Sequence, residues 1–161
     1  MKSEILTWAA HLPQPLSTVI VAALPILELR GSIPWAIGVG GLSPLSAYLW
    51  SVLGNMIPIP FWLLLLGRIE KSLRRFEWFD KFFCWLFART RRKASMVERH
   101  GAWGLILFVA VPLPVTGAWT GAIAAYLFDL SPRRALPAIL AGVCCAGIVV
   151  TLTVQGIIHI W

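Results

Sequence analysis

Acidic residues, cysteine and histidine are all scarce in this chain. Its 161 residues include seven Asp and Glu, three Cys and three scattered His. The cysteines, Cys84, Cys144 and Cys145, form neither a metal-binding spacing nor a disulfide framework. Paired carboxylates, a Ser/His/Asp set and a phosphate-binding loop are also missing from the sequence. We therefore expect no enzymatic activity, no cofactor and no metal site.

What the chain does contain is apolar sequence. Hydrophobic residues make up 58% of it, charged residues only 13%, and nine residues are Trp. This composition is typical of an integral membrane protein and predicts an all-α fold with a single membrane domain over residues 1–161. The N-terminal stretch 1–15 has too short an apolar run for a signal peptide and is predicted to lie at the membrane interface.

Most of the positive charge lies in one connector, residues 67–100. Ten cations and four acidic residues occur there, so the connector carries six of the seven net positive charges. Such a segment recognises an anionic lipid or nucleic acid, or it is a cytoplasmic loop that sets topology. We favour the topogenic loop, as an amphipathic basic helix at the cytoplasmic interface without nucleic acid. Its predicted anionic-lipid surface consists of Arg74, Arg75, Arg89, Arg91, Arg92 and Lys93. Its predicted apolar side consists of Ile69, Leu73, Phe76, Phe79, Phe83 and Leu86.

Two stretches of the chain resemble each other. A Leu-Ser-Pro motif ends at Pro44 and again at Pro132, and a glycine follows each proline by ten residues, at Gly54 and Gly142. Further prolines precede these motifs by nineteen and twenty residues. The similarity predicts a duplicated unit, with repeat 1 over 16–66 and repeat 2 over 101–161.

Two topologies are compatible with this pattern. Segments 16–41, 43–66, 102–128 and 135–161 are four simple spans, or else 16–41 and 102–129 are re-entrant hairpins. With 67–100 in the cytoplasm, four spans would put Arg133 and Arg134 outside, whereas hairpins return them to the cytoplasm and place Met1 outside. We therefore predict an inverted repeat of a re-entrant helical hairpin plus a transmembrane helix. The predicted helix breaks and hairpin tips are Pro25, Gly31, Pro34, Pro112, Pro114, Gly117 and Gly121.

The first tip contains Glu28 and Arg30 within apolar sequence. A charge at membrane depth costs ~2.5 to 3.5 kcal/mol on insertion scales, so such residues usually face a cavity or a partner. Residues at i and i+2 do not face each other on a helix. The pair therefore points to different partners, or the backbone is unwound near Gly31 and Pro34. It binds an anionic group and exchanges protons, or it is a structural ion pair.

The second tip carries hydroxyl groups in place of charges. Thr116 and Thr120 are predicted to contribute to a substrate or ion site, beside the amides at the start of a half-helix. The alternative is close helix packing through Gly117 and Gly121. Asn55 is a third predicted polar group of the site.

The run Glu28 to Pro34 (ELRGSIP) and the run Pro112 to Gly121 (PLPVTGAWTG) together resemble the small multidrug export protein family, which is grouped with the DedA/VTT membrane proteins. The resemblance extends from about Leu16 to about Gly156. It implies two re-entrant hairpins in inverted repeat and, for the wider superfamily, movement of lipids such as undecaprenyl phosphate between leaflets. Glu28 and Arg30 match the charged first hairpin of DedA-like proteins. The second hairpin has Thr116 and Thr120 where those proteins commonly carry an Arg.

Three functions follow as hypotheses. The first is a transporter or scramblase of an anionic lipid or similar amphiphile, coupled to protons. The second is a proton-coupled small multidrug exporter, and the third is a membrane scaffold without transport activity. The predicted location is the inner membrane of a prokaryotic cell, and the predicted partners are lipids, protons and a second copy of the chain.

Overall fold

The computed structural model describes residues 13–73, 75–111 and 116–160, and its regular structure there is entirely helical. The all-α prediction is thus confirmed for these ranges, while the predicted interfacial segment lies almost wholly outside them. The helices are α1 (Gln14–Ala23), α2 (Glu28–Gly38), α3 (Pro44–Met56), α4 (Pro58–Leu73), α5 (Glu77–Lys93), α6 (Ser95–Ala110), α7 (Ala118–Leu127) and α8 (Pro132–Ile160).

Two apolar helical segments are long enough to cross a membrane. They are Pro44–Ser72, which runs through α3 and α4, and Pro132–Ile157 within α8. At 1.5 Å per residue they extend about 43 Å and about 39 Å, more than the ~30 Å of a hydrocarbon core. By contrast, the apolar helices α1 and α7 have ten residues each, about 15 Å, and cannot cross alone.

Contacts divide the chain into two compact units. The first unit runs up to Pro58 and resumes at Val143, and the second runs from Ile59 to Gly142. Each unit contains one of the ten-residue helices, α1 or α7, with segments of both long apolar helices. Single-domain organisation stays a prediction.

In the first unit, α1 and α2 both pack on α3. The chain turns between them over Leu24–Leu27, where Leu24 adopts an extended conformation (φ −76°, ψ 133°). A buried hydrogen bond of 2.8 Å from Ser32 Oγ to Ser51 Oγ joins α2 to α3. At the start of α3, Ser43 Oγ accepts a hydrogen bond from the amide of Ser46 at 3.3 Å, and proline occupies the first turn.

The helix break lies earlier than two of the predicted break residues. Gly31 and Pro34 were expected to unwind the backbone, but both lie inside α2. Five residues around Pro34 are buried, so packing holds the helix through the proline. Gly31 instead leaves space for the side chain of Leu27, because a Cβ on Gly31 would lie 2.9 Å from Leu27 Cβ. Pro25 lies in the turn between α1 and α2.

The two repeat glycines make matching contacts, each within its own unit. A Cβ on Gly54 would lie 2.4 Å from the carbonyl oxygen of Val19 and 2.9 Å from Ala22 Cβ. A Cβ on Gly142 would lie 2.9 Å from the carbonyl oxygen of Ile106 and 2.6 Å from Val109 Cβ. The α1 contacts precede Pro25 by six and three residues, and the α6 contacts precede Pro112 by the same intervals.

The predicted connector divides among three helices. Residues 67–73 continue α4, α5 covers Glu77–Lys93, and α6 already begins at Ser95. Within α6, Gly101 interrupts the helix with φ 56° and ψ −125°, a conformation that glycine adopts without steric cost. The amphipathic basic helix is therefore α5, which begins five residues after the first candidate span ends at Ser72.

Candidate functional site

The first turn of α2 has an unusual backbone. Glu28, its first residue, has φ 46°, in the left-handed region that residues other than glycine seldom adopt. Its amide still donates to the carbonyl of Leu24 at 3.0 Å, and the amide of Gly31 donates to Leu27 at 2.9 Å. Strain of this kind costs about 1–3 kcal/mol and clusters at functional sites. Asp129 before α8 also has a positive φ (51°), but Asp adopts this region more readily than Glu, and Glu28 lies beside the second charge, Arg30, which makes this turn the leading candidate.

Glu28 and Arg30 are both partly buried in this turn, and the fully buried Leu29 separates them. A coulombic interaction links the two charges. Across residues 13–58 and 143–160 they are the only Asp, Glu, Lys or Arg residues. A carboxylate at a helix N-terminus is also stabilised by the helix dipole. Within these two ranges, the charge is thus confined to one turn of one short helix.

Helical register places Asn55 of α3 at about the height of Glu28 along the antiparallel α2. Ala36 of α2 and Ala47 of α3 belong to the same core cluster. The Ser32–Ser51 hydrogen bond lies one helical turn away from them, toward the start of α2 and the end of α3. One further turn leads to Glu28 on α2 and to Asn55 on α3. The sequence analysis did not single out the two serines. The sequence did contain a signal for Ser51, because it precedes Asn55 by four residues and therefore lies on the same face of α3.

The side chain of Asn55 is buried, with 1% of its surface exposed, and its Oδ1 has no hydrogen-bond partner among the described residues. An unsatisfied buried acceptor costs about 1–3 kcal/mol. This oxygen can therefore accept a hydrogen bond from a group that arrives during function, either a protonated carboxyl or a substrate donor.

The second hairpin uses its hydroxyl groups locally. Thr116 Oγ1 donates to the carbonyl of Val111 at 2.7 Å, and Thr120 Oγ1 donates to the carbonyl of Gly117 at 3.2 Å. Helix α7 begins directly after Gly117. The predicted packing role applies to Gly121, whose Cβ would lie 2.6 Å from Val109 Cγ2. Pro112 and Pro114 lie outside the described residues.

The predicted site residues fall in separate units. Glu28, Arg30 and Asn55 belong to the first unit, and Thr116 and Thr120 belong to the second. Their substrate-binding roles stay predictions.

A polar contact in the second unit was not anticipated from the sequence. The hydroxyl of Tyr126, at the end of α7, donates a hydrogen bond to the Glu70 carboxylate on α4. The Tyr126 ring also lies 6.1 Å from that of Phe87 on α5. The only sequence signal was a lone Tyr ending an apolar run. Tyr126 thus connects α7 both to α4 and to the basic helix α5.

The predicted anionic-lipid surface is divided by the structure. Arg89 and Arg92 line one cavity with Trp85, whereas Arg91 is exposed outside that lining and Arg75 precedes α5. Arg74 and the side chain of Lys93 lie outside the described residues.

The two apolar helical segments are long enough to cross a membrane, as in helical membrane proteins, and the family match below points to the same class. The model of a family described as "Putative small multi-drug export protein" matches residues 28–149, from Glu28 onward. The chain therefore belongs to the small multidrug export protein family. No curated protein and no solved structure gives a significant match. The DedA/VTT relationship stays a prediction.

Proposed function

We propose that this chain is an inner-membrane transporter of small amphipathic molecules, with its binding site at the charged first turn of α2. The family match supports small-molecule export over lipid movement, which the sequence analysis had placed first. The observation that carries the proposal is that Glu28 and Arg30 lie in one strained turn and are the only Asp, Glu, Lys or Arg residues within 13–58 and 143–160. Such intramembrane charges typically mark a substrate or ion pathway.

Glu28 exchanges the proton in this proposal. When ionised, its carboxylate interacts with Arg30, and when protonated, it offers a hydrogen-bond donor at the level of Asn55. The buried Oδ1 of Asn55 favours the protonated state because it gains a partner there. The carboxyl thus has a partner in both states, as a proton-coupled cycle requires.

The supporting architecture is a duplicated, inverted hairpin. The matching contacts of Gly54 and Gly142 support the duplication, and the shortness of α1 and α7 argues against four simple spans. We place the α5 connector in the cytoplasm. The test is Arg133→Cys on a background without native thiols. An impermeant maleimide should label it only from the cytoplasmic side, and labelling from outside would contradict the hairpins.

The transport proposal is tested in proteoliposomes with an imposed pH gradient. Uptake of ethidium, a lipophilic cation, and of anilinonaphthalene sulfonate, an anionic amphiphile, is followed by fluorescence. Wild-type protein should transport one of them, and Glu28→Gln should remove the dependence on the gradient. Glu98→Gln, an exposed acid on α6, is the matched control and should transport normally. Equal rates for Glu28→Gln and wild type would refute the role of Glu28.

A second candidate is movement of an anionic lipid, and the specific observation that favours it is Arg30. A guanidinium offers a planar fork suited to phosphate and repels cationic drugs. Arg30→Gln distinguishes the two, because it should abolish transport of anions and leave transport of ethidium intact or faster. Exchange of a labelled phospholipid between leaflets, lost in Arg30→Gln, would favour the lipid function.

A further inference from the structure

The basic helix α5 has two opposite faces. One face packs inward through the buried Phe83 and Thr90 and the partly buried Phe87, whose ring lies 5.7 Å from that of Phe83. Ala94, directly after the helix, is fully buried and continues this stripe. Phe83 belongs to the predicted apolar side, and the structure shows that it packs against protein.

The opposite face alternates tryptophan with cations. Trp78 is 89% exposed and Trp85 is 54% exposed. At 100° per residue, the residues of this face fall within about 100° of helix circumference, nearly opposite the buried stripe. They are Trp78, Lys81, Trp85, Ala88, Arg89 and Arg92. The acids of α5, Glu77 and Asp80, fall outside this arc.

A cavity of about 360 Å³ lies on this face, lined by Trp85, Ala88, Arg89 and Arg92. The guanidinium carbon of Arg89 lies 5.2 Å from the centroid of the Trp85 ring, a cation–π distance. Stacking on the ring restricts this guanidinium, and Arg92 follows one turn later. The small side chain of Ala88 completes the lining.

We propose that Trp85, Arg89 and Arg92 form a binding site for the phosphate of an anionic phospholipid headgroup. Two guanidinium groups provide the donors that bind a phosphate in bidentate geometry. Trp85 is the amphipathic ring that membrane proteins place at headgroup level. The site's helix begins five residues after a candidate span ends, which brings it to the membrane surface. This site is independent of the proposed transport activity.

The alternative is a diffuse basic surface, in which every cation of α5 contributes equally. Arg91 provides the matched control, since it is exposed on the same helix, has the same charge and is absent from the cavity lining. The probe is phosphatidylglycerol, titrated onto the detergent-solubilised full chain and counted by native mass spectrometry. Phosphatidylcholine and inorganic phosphate are the comparison ligands.

Arg89→Gln and Arg92→Gln should each weaken phosphatidylglycerol binding about five-fold, since one cation near an anionic lipid contributes about 1 kcal/mol. Arg91→Gln should change phosphatidylglycerol affinity less than two-fold. Arg92→Lys should cause a loss smaller than that of Arg92→Gln but larger than that of Arg91→Gln, because lysine keeps the charge without the planar guanidinium. Trp85→Leu should weaken binding although it removes no charge.

Equal losses for Arg91→Gln and Arg92→Gln would overturn the site in favour of a diffuse surface. Displacement of bound lipid by equimolar inorganic phosphate would contradict a headgroup site at the membrane. Retained circular dichroism in every variant excludes misfolding as the cause.

Discussion

Alanine at the two repeat glycines should destabilise the protein. At Gly54, the added methyl group would lie 2.4 Å from the Val19 carbonyl oxygen and 2.7 Å from Val19 Cα, both of them backbone atoms. Overpacking destabilises a protein by about 1–3 kcal/mol, and the cost here should lie at the upper end because backbone atoms cannot move aside easily. Replacing Gly by Ala in a helix stabilises the helix by about 1 kcal/mol, which offsets part of that cost. Gly54→Ala should therefore lower the free energy of unfolding by about 2 kcal/mol. Gly142→Ala should behave alike, because its methyl group meets Val109 Cβ at 2.6 Å.

The assay is an SDS titration of the purified protein in micelles, followed by circular dichroism. Gly156→Ala is the control, because this helical glycine has open space where its Cβ would lie. It should be neutral or stabilising by up to about 1 kcal/mol. The reasoning fails if Gly54→Ala and Gly156→Ala shift the free energy of unfolding in the same direction.

Three further changes test individual contacts by the same titration. A double-mutant cycle on Ser32→Ala and Ser51→Ala should give a coupling of about 1 kcal/mol, because each hydroxyl is buried against the other, and additivity would contradict that bond. Tyr126→Phe should lower stability by about 1.5–3 kcal/mol by removing a donor to the Glu70 carboxylate; an unchanged midpoint would show the bond to be dispensable. Gly101→Ala should cost about 1–3 kcal/mol through its positive φ although no atom blocks the methyl group, so a gain in stability would exclude that conformation.

The charged turn was predictable in composition but not in backbone geometry. Two expensive charges in apolar sequence identified Glu28 and Arg30. Residue propensities then predicted unwound backbone at Gly31 and Pro34, whereas the chain leaves helical conformation between α1 and α2, at Leu24–Leu27. Packing of buried neighbours around Pro34 outweighs the lost hydrogen bond, and a propensity rule contains no information about that packing.

The repeated Leu-Ser-Pro motif predicted more of the packing, because the constant ten-residue spacing from its proline to a glycine identifies matching positions on two helices. The glycines ten residues beyond it are the positions where a long helix meets a short one closely. For α5, the spacing of apolar residues predicted an apolar side that includes Phe83 but not what that side packs against. A stripe of Phe at helical spacing is equally compatible with lipid and with protein, and only the contacts of Phe83 and Phe87 decide between them.

The central claim is that the charged turn of α2 is a transport site and more than a structural ion pair. The most direct test measures transport rate and thermal midpoint on the same preparation of Glu28→Gln. The proposal predicts that pH-gradient-driven transport is lost while the midpoint stays within a few degrees of wild type. Unchanged transport with a lowered midpoint would contradict it and leave Glu28 with a structural role alone.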